Sequence, residues 1–589
     1  MAQKLKPVDV VLVGMGWTGA IFAKELAEAG LRVVGLERGR MHDTIPDWQS
    51  PAMHDELKYA VRWGMMIDVS KETLTFRNRP DETALPMRQL GSFLPGTDVG
   101  GAGVHWNGQT YRFLPSDFTL RSHYSKKYGR DFISPDLTVQ DWGVTYNELE
   151  PFYDHFERVC GVGGRAGNLK GQPMPGGNPF EGPRSREYPN PPMIQAHAGA
   201  LFEKAAASLG LHPFPEPSSN MSRAYTNPFG AQLKPFMYCG FCERFGCEHF
   251  AKASPQLCVL PFAMRNPNFE LRTGAHVNRV LLDASGRHAT GVLYVDGQGR
   301  EFEQPADVVV LCAYGLWNVH LLLVSGIGTP YDPATGQGVV GRNYAYQTTS
   351  SVNVFYPPEV NINPFMGAGA LGTVIDDFNG DNFDHGPLGF IGGGYIAAHT
   401  TGGRPIMHHP VPPGTPRWGA AWKKAVADNY NHVASIDCHG SSMSRRQNYL
   451  SLDPTYKDAH GRPLLRLTFD FSENDRRMSR HLTDQAERIA KAMGGRFTDR
   501  SDRADTYSIV PYQTTHNTGG AVMGTDPRTS VVNKYLQSWD VPNLFVQGAC
   551  AFPQNAGYNP TDTVGALAYW SVKALIERYL KRPGPLVQT

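Results

Sequence analysis

The chain carries almost no net charge. Its 56 Lys and Arg stand against 55 Asp and Glu, a formal +1 over 589 residues, and charged residues make up only 19%. That balance excludes the basic footprint of a nucleic-acid binder and the polybasic face of a protein held to anionic lipid. No repeat and no low-complexity tract is visible, so neither a solenoid nor a long disordered arm is expected. No apolar run reads as a membrane span. The best candidate, residues 308–328, is interrupted by Tyr314, Asn318 and His320 and fits a buried strand, a turn and a helix. No secretion signal is expected from the opening residues: the apolar run after Lys4 and Lys6 is too short for an h-region, and no twin-arginine pair precedes it. Cysteine is sparse, eight in all, and Cys160, Cys312, Cys438 and Cys550 are scattered, as small core residues are.

What the chain does have is glycine and proline (63 and 45), hence many turns, and a length that suits two or more cores. Near the start, an apolar run (Val10, Val11, Leu12, Val13) leads into Gly14-Met15-Gly16-Trp17-Thr18-Gly19, then an amphipathic helix pattern, then a second strand ending in Glu37. In such a unit the first glycine makes the turn and the second lets backbone approach a pyrophosphate. The third lets the helix pack close to the strand. Glu37 stands where an acid accepts hydrogen bonds from a ribose diol. The unit therefore predicts a Rossmann-like dinucleotide site.

Further along, residues 42–90 read as an irregular excursion, with the Met and aromatic residues at 60–66 serving as packing. Residues 134–235 are rich in Pro, Gly and Asn, with one helix near 193–209. Strand-like stretches follow at 269–273, 277–282, 289–295 and 307–311, and alternating patterns run through 347–471. Helices are expected at 474–493 and from about 563 to 580, with a strand at 544–547 between them.

A second informative segment is His516-Asn517-Thr518-Gly519-Gly520-Ala521-Val522-Met523-Gly524, followed by Pro542-Asn543-Leu544-Phe545-Val546 and by Asn559-Pro560-Thr561. With the opening motif, Val99-Gly100-Gly101, residues 308–326 and Val340-Gly341-Arg342-Asn343, it resembles the glucose-methanol-choline (GMC) oxidoreductases, flavoproteins that oxidise alcohols and sugars. The resemblance spans nearly the whole chain. It implies an α/β fold (α+β overall), in which a Rossmann-like FAD-binding domain from residues 1–135, 236–346 and 512–589 holds an inserted sheet-based substrate domain, 136–235 and 347–511. It also implies that His516 and Asn559 face the flavin, with Gly14, Gly16, Gly19, Glu37, Gly100, Gly101, His105, Trp106, Val277 and Thr561 around the cofactor.

The chemistry explains the His–Asn pair. Oxidising an alcohol moves a hydride from carbon to flavin N5 while the hydroxyl loses its proton, and a His near its ordinary pKa of about 6.5 is largely neutral at pH 7. Such a base typically contributes about 10²–10⁴ in rate. Asn559 can donate to the substrate oxygen without competing for the proton. His105-Trp106, in a glycine-rich loop, is similar to the arrangement that binds flavin covalently in pyranose oxidases of the family. A His that only stacks or hydrogen-bonds is the other reading.

Cys239-Gly240-Phe241-Cys242-Glu243-Arg244-Phe245-Gly246-Cys247 places three cysteines in nine residues. Three outcomes stay open: an iron–sulfur cluster held by Cys239, Cys242 and Cys247; a zinc site completed by His249 or Cys258; a disulfide with one thiol left over. Bacterial fructose and glucose dehydrogenases of the family carry a three-iron cluster (3Fe-4S) in the equivalent region, with a wider first spacing. The phrase Tyr238-Cys239-Gly240-Phe241-Cys242, with Lys252-Ala253-Ser254-Pro255, resembles the flavoproteins of the gluconate 2-dehydrogenase branch. That branch implies a sugar or sugar-acid substrate, a small subunit and a membrane-bound cytochrome c subunit, and periplasmic placement through those partners; cytoplasmic placement is the alternative. A pyranoside 3-dehydrogenase or pyranose oxidase-like enzyme, or a flavoprotein with structural zinc, are the competing readings. For a carboxylate substrate, Arg88, Arg112 and Lys234 are the cations considered.

Overall fold

The computed structural model describes residues 2–48, 64–402, 408–503 and 505–588. Of the residues expected to serve as packing, Met65 and Met66 are buried, and Trp63 lies outside the described residues. A sheet forms around the opening motif. Its order is Phe269–Arg272, Val33–Leu36, Val8–Val13, Glu301–Leu311, Ala289–Val295, His276–Leu282, with Gln3–Lys4 and Leu544–Val546 also pairing onto Glu301–Leu311. Neighbours run parallel from Phe269–Arg272 through Val8–Val13 to Glu301–Leu311 and Leu544–Val546, and the last three strands of the path form an antiparallel meander. The central strands are apolar on both faces because helices cover them: Val10, Val11, Leu12, Val309, Val310 and Leu311 are all fully buried. Residues 308–328 resolve into the end of this strand, a turn at Tyr314 (φ 71°) and the helix Gly315–Val324. Asn318 and His320 are satisfied inside it. Asn318 accepts from the Ala313 amide and donates to the Gln547 carbonyl, and His320 Nε2 lies 2.7 Å from the Pro463 carbonyl. Among the described residues, no helix is long and apolar enough to cross a membrane.

A second, antiparallel sheet runs Phe497–Ser501, Thr348–Phe355, Val433–Gly440, Gly394–His399, Gly372–Ile375, Phe214–Pro215. Its two faces differ by the period of two. Val352, Val354, Ile436, Cys438 and Ile396 pack under the helices His197–Ser208 and Glu473–Ala492. Thr349, Ser351, Asp437, His439 and His399 line a cavity on the other side. The sheet thus serves as roof over the dinucleotide unit.

One expectation needs correction. Residues 134–235 hold more than one helix: Tyr146–Cys160 precedes His197–Ser208. Its start was written in the sequence as Thr145-x-x-Glu148, a capping box in which the Thr145 side chain accepts from the Glu148 amide and Glu148 returns to the Thr145 amide. Pro151 obscured it: it lies inside the helix, in the second turn, where its missing N–H gives up one intrahelical hydrogen bond.

Candidate active site

The cavity, partly open to solvent, runs from the opening motif to the roof. At the first end each motif glycine has a separate steric reason. Gly14 has φ +92°, and a Cβ there would sit 2.6 Å from the Cys312 carbonyl oxygen; one at Gly19 would sit 2.1 Å from the Gly14 oxygen. Gly16 is different: its nearest neighbour would be 3.8 Å away, so its missing side chain leaves open room on the cavity side. Helix Trp17–Glu28 begins at Gly16 with no side-chain cap, so its first amides are available to an anion. Glu37 lines the cavity and is buried; it accepts from the Met15 amide (2.9 Å) and the Gly39 amide (3.0 Å). Burial pushes its carboxyl above the usual range and the two amides pull it back. An open glycine, an uncapped helix start and a held acid fit FAD.

Gly101, His105, Trp106, Val277, Asn559 and Thr561 also line the cavity. Trp106 is held by a 2.7 Å bond from Nε1 to the Ala253 carbonyl and packs edge-on against Trp17. Gly100 does not reach it. Its amide donates to the Met15 carbonyl (2.7 Å), and a Cβ would strike the Gln256 side chain, so this glycine joins two loops rather than exposing backbone to the flavin.

His516 and Asn559 come together. Asn559 Nδ2 lies 3.3 Å from His516 Nε2 and donates to Gln109 Oε1 (2.7 Å); Asn559 Oδ1 accepts from the Tyr395 hydroxyl (3.0 Å). On the far side of the ring, His516 Nδ1 bonds Gln347 Oε1. The His516 backbone is fixed by Asn555 Nδ2, which donates to its carbonyl at 2.8 Å. The ordinary imidazole value expected for His516 does not hold: burial, and then nearby His439, push it down to about 3. The ring is therefore neutral throughout the physiological range, with Nε2 turned to Asn559.

Around this pair stand groups that sequence reasoning missed. Glu216 Oε1 accepts from Gln109 Nε2 (2.8 Å) and the Tyr111 hydroxyl (3.0 Å) and lies 3.2 Å from His399 Nε2, while His399 Nδ1 lies 3.5 Å from Asp437. Burial alone would lower His399, but the two carboxylates outweigh it and hold it at about 10. His439 is pushed down to about 4 by burial and by charged His399. A signal for the last group existed: Asp437 and His439 alternate with Ile436 and Cys438 on one strand, polar on one face only.

The three cations considered for a carboxylate are displaced. Arg112 is buried in a bidentate pair with Glu157, while Arg88 and Lys234 are exposed, and none of them lines the cavity. The lining arginines are Arg38, Arg244, Arg462 and Arg503. The first three pair with Glu72, Glu243 and Asp458; Arg503 has no ion pair among the described residues.

Cys239, Cys242 and Cys247 line one separate small void, with Glu248, His249 and Lys252. The Gly369 amide donates to Cys242 Sγ (2.9 Å) and the Ala251 amide to Cys247 Sγ (3.4 Å). Lys252 is buried and donates to the Cys242 and Phe245 carbonyls, placing a positive charge beside the thiols. Three thiols, amide donors and a buried cation fit an iron–sulfur cluster. The donor atoms within 4.8 Å of one another are those of Cys239, Glu248 and His249, a set that also suits zinc. Among the described residues none of the eight cysteines is joined in a disulfide. Cys258 is not part of the void: it is fully buried in the core that packs helix Trp17–Glu28, which removes it as a fourth ligand.

Comparison with known proteins follows the same lines. Two family models described as GMC oxidoreductase match residues 222–349 and 444–568. The chain is 51% identical to the gluconate 2-dehydrogenase flavoprotein of Pantoea cypripedii, over 100% of this chain and 96% of that protein. It is 26% identical to the 2-methyl-1,2-propanediol dehydrogenase of Mycolicibacterium austroafricanum, over 96% and 95%. Among solved structures, pyridoxine 4-oxidase from Mesorbium loti shares the fold, with a TM-score of 0.59 at 19% identity, over 96% of this chain and 98% of that one.

Proposed function

Because the chain belongs to the GMC oxidoreductase family, FAD-dependent enzymes acting on CH–OH donors, we propose that it is the flavoprotein of a sugar-acid dehydrogenase of gluconate 2-dehydrogenase type. The bound FAD supplies the hydride acceptor. This chain's residues do the rest. His516 takes the hydroxyl proton at Nε2, Asn559 donates to the substrate oxygen from Nδ2, and Gln109 and Tyr395 hold that amide in place. The observation that carries the reading is the neutral His516 beside Asn559, in one cavity with the dinucleotide motif.

The finer parts of the proposal rest on the cysteine void. A cluster on Cys239, Cys242 and Cys247 supplies a one-electron outlet towards a cytochrome c partner, and the void lies close to the flavin loop. Cys242 Sγ contacts Asn220 Oδ1 (3.5 Å), and Asn220 Nδ2 donates to the carbonyl of cavity-lining Asn107 (3.0 Å). With a small subunit and that cytochrome, the complex would work on the periplasmic face of a membrane, and FAD would be anchored through His105. The domain division at 135, 235, 346 and 511 belongs to the same proposal. The Cys239–Glu248–His249 set favours a second reading, structural zinc. Metal and sulfide analysis with low-temperature electron paramagnetic resonance separates the two: the cluster predicts iron, sulfide and a signal when oxidised, and zinc without iron overturns it. Dye-linked turnover on aldonates, aldoses and glycosides tests the substrate. Gluconate is expected to be preferred, and indifference to all of them contradicts the proposal.

A further inference from the structure

Gln347 is fully buried between two histidines and two carbonyls. Its Nε2 donates to the carbonyls of Ala556 (3.3 Å) and Tyr558 (3.2 Å), which can only accept, and this fixes which way the amide points. Oε1 therefore faces both imidazoles, bonding His516 Nδ1 and lying 3.3 Å from His439 Nδ1. An amide oxygen can only accept, so each ring carries its proton on Nδ1 and its lone pair on Nε2. One side chain thus sets two tautomers. The rings lie 6.2 Å apart, centroid to centroid. His516 Nε2 is directed at Asn559, whereas His439 Nε2 has no hydrogen-bond partner among the described residues although the ring lines the cavity. His439 is held flat against Tyr395, the residue opposite it on the next strand, with centroids 4.9 Å apart and planes 8° from parallel. Tyr395 in turn holds Asn559.

We propose that His439 is a specificity residue that accepts a hydrogen bond from the hydroxyl next to the reacting one, and that Gln347 is the positioning residue that prepares both imidazoles. The substrate class is then a vicinal diol within a polyhydroxy chain. The hydroxyl on the reacting carbon gives its proton to His516, and its neighbour donates to His439 and keeps its own. Rings 6.2 Å apart leave room for two adjacent hydroxyls at ordinary hydrogen-bond distances. A simple alcohol would leave His439 unanswered. Charged His399, stacked edge-on to His439, keeps that ring neutral and hence an acceptor.

The inference rests on the sugar-acid reading, and the test keeps the two apart. The flavin-loaded enzyme is assayed with gluconate and 3-deoxygluconate, as wild type and as His439→Phe, which keeps a ring against Tyr395. His439→Ala serves equally if the first variant fails to fold. The wild type is expected to favour gluconate about tenfold in kcat/KM, the worth of one hydrogen bond, and the variant to fall within about twofold. A tenfold preference that survives in the variant overturns the role of His439. If the wild type oxidises neither acid, the sugar-acid reading fails and takes the inference with it. For Gln347, Q347E places a carboxylate on His516 Nδ1 and should move the acid limb of the kcat profile to higher pH, while Q347M lowers kcat with KM nearly unchanged. An unmoved profile in Q347E contradicts the positioning role.

Discussion

The two ends of the cavity are built by opposite means. The dinucleotide end is backbone: three glycines within six residues, an uncapped helix start and one acid held by two amides. The roof end is side chains, brought together from segments that lie far apart in sequence, with Asp437, His439 and His399 on one sheet, Gln347 just before its strand Thr348–Phe355, and His516 and Asn559 on the loops facing it. A backbone site tolerates only glycine at given positions, so it resists drift. A side-chain site keeps its scaffold while its residues are exchanged, which is how one family comes to act on many alcohols.

The contrast breaks first at the glycines. Gly14→Ala should destabilise the flavin-free protein by about 2–3 kcal/mol, because φ +92° and the 2.6 Å approach to the Cys312 oxygen are both incompatible with a side chain. Gly16→Ala should leave flavin-free stability unchanged and lose flavin, since its surroundings are open. Denaturant unfolding with and without FAD checks both. At the roof, Arg503→Gln should raise KM for gluconate about tenfold and leave a neutral polyol unaffected. An equal change for both would remove Arg503 from carboxylate binding.

A further effect is on pH. His399, held at about 10 against an unfolded value near 6.5, contributes stability that is complete below 6.5 and is lost as pH rises through 10. His516 and His439, held at about 3 and 4, act the other way and cost stability as pH falls from 6.5 towards those values. Urea unfolding across pH should therefore show losses on both sides. His399→Gln should flatten the alkaline one, by up to about 1.4 kcal/mol per pH unit, and soften the acid one, because His439 loses the neighbouring charge that helps hold it down.

Legibility follows the same division. Gly14, Gly16, Gly19 and Glu37 announce themselves because a turn, a close approach and a strand end must fall at set spacings within one short segment. His516 and Asn559 were readable only through resemblance, since nothing local marks a loop histidine as a base. Gln347, Glu216 and His399 were not readable at all: each acquires meaning from partners about 40 to 180 residues away that only the folded chain brings near. Arg112 shows the converse error. A lone arginine looks available until the fold buries it against Glu157. Gly100 shows that a glycine-rich loop near a cofactor also contains glycines that serve loop-to-loop packing.

The account turns on His516 as the group that receives the substrate proton. The most direct measurement is anaerobic reduction of the bound flavin by gluconate in a single turnover, comparing wild type with His516→Ala at equal flavin content. A fall in the reduction rate of about 10²–10⁴ is expected, with gluconate affinity nearly preserved. A variant that reduces its flavin within about threefold of the wild-type rate would contradict it.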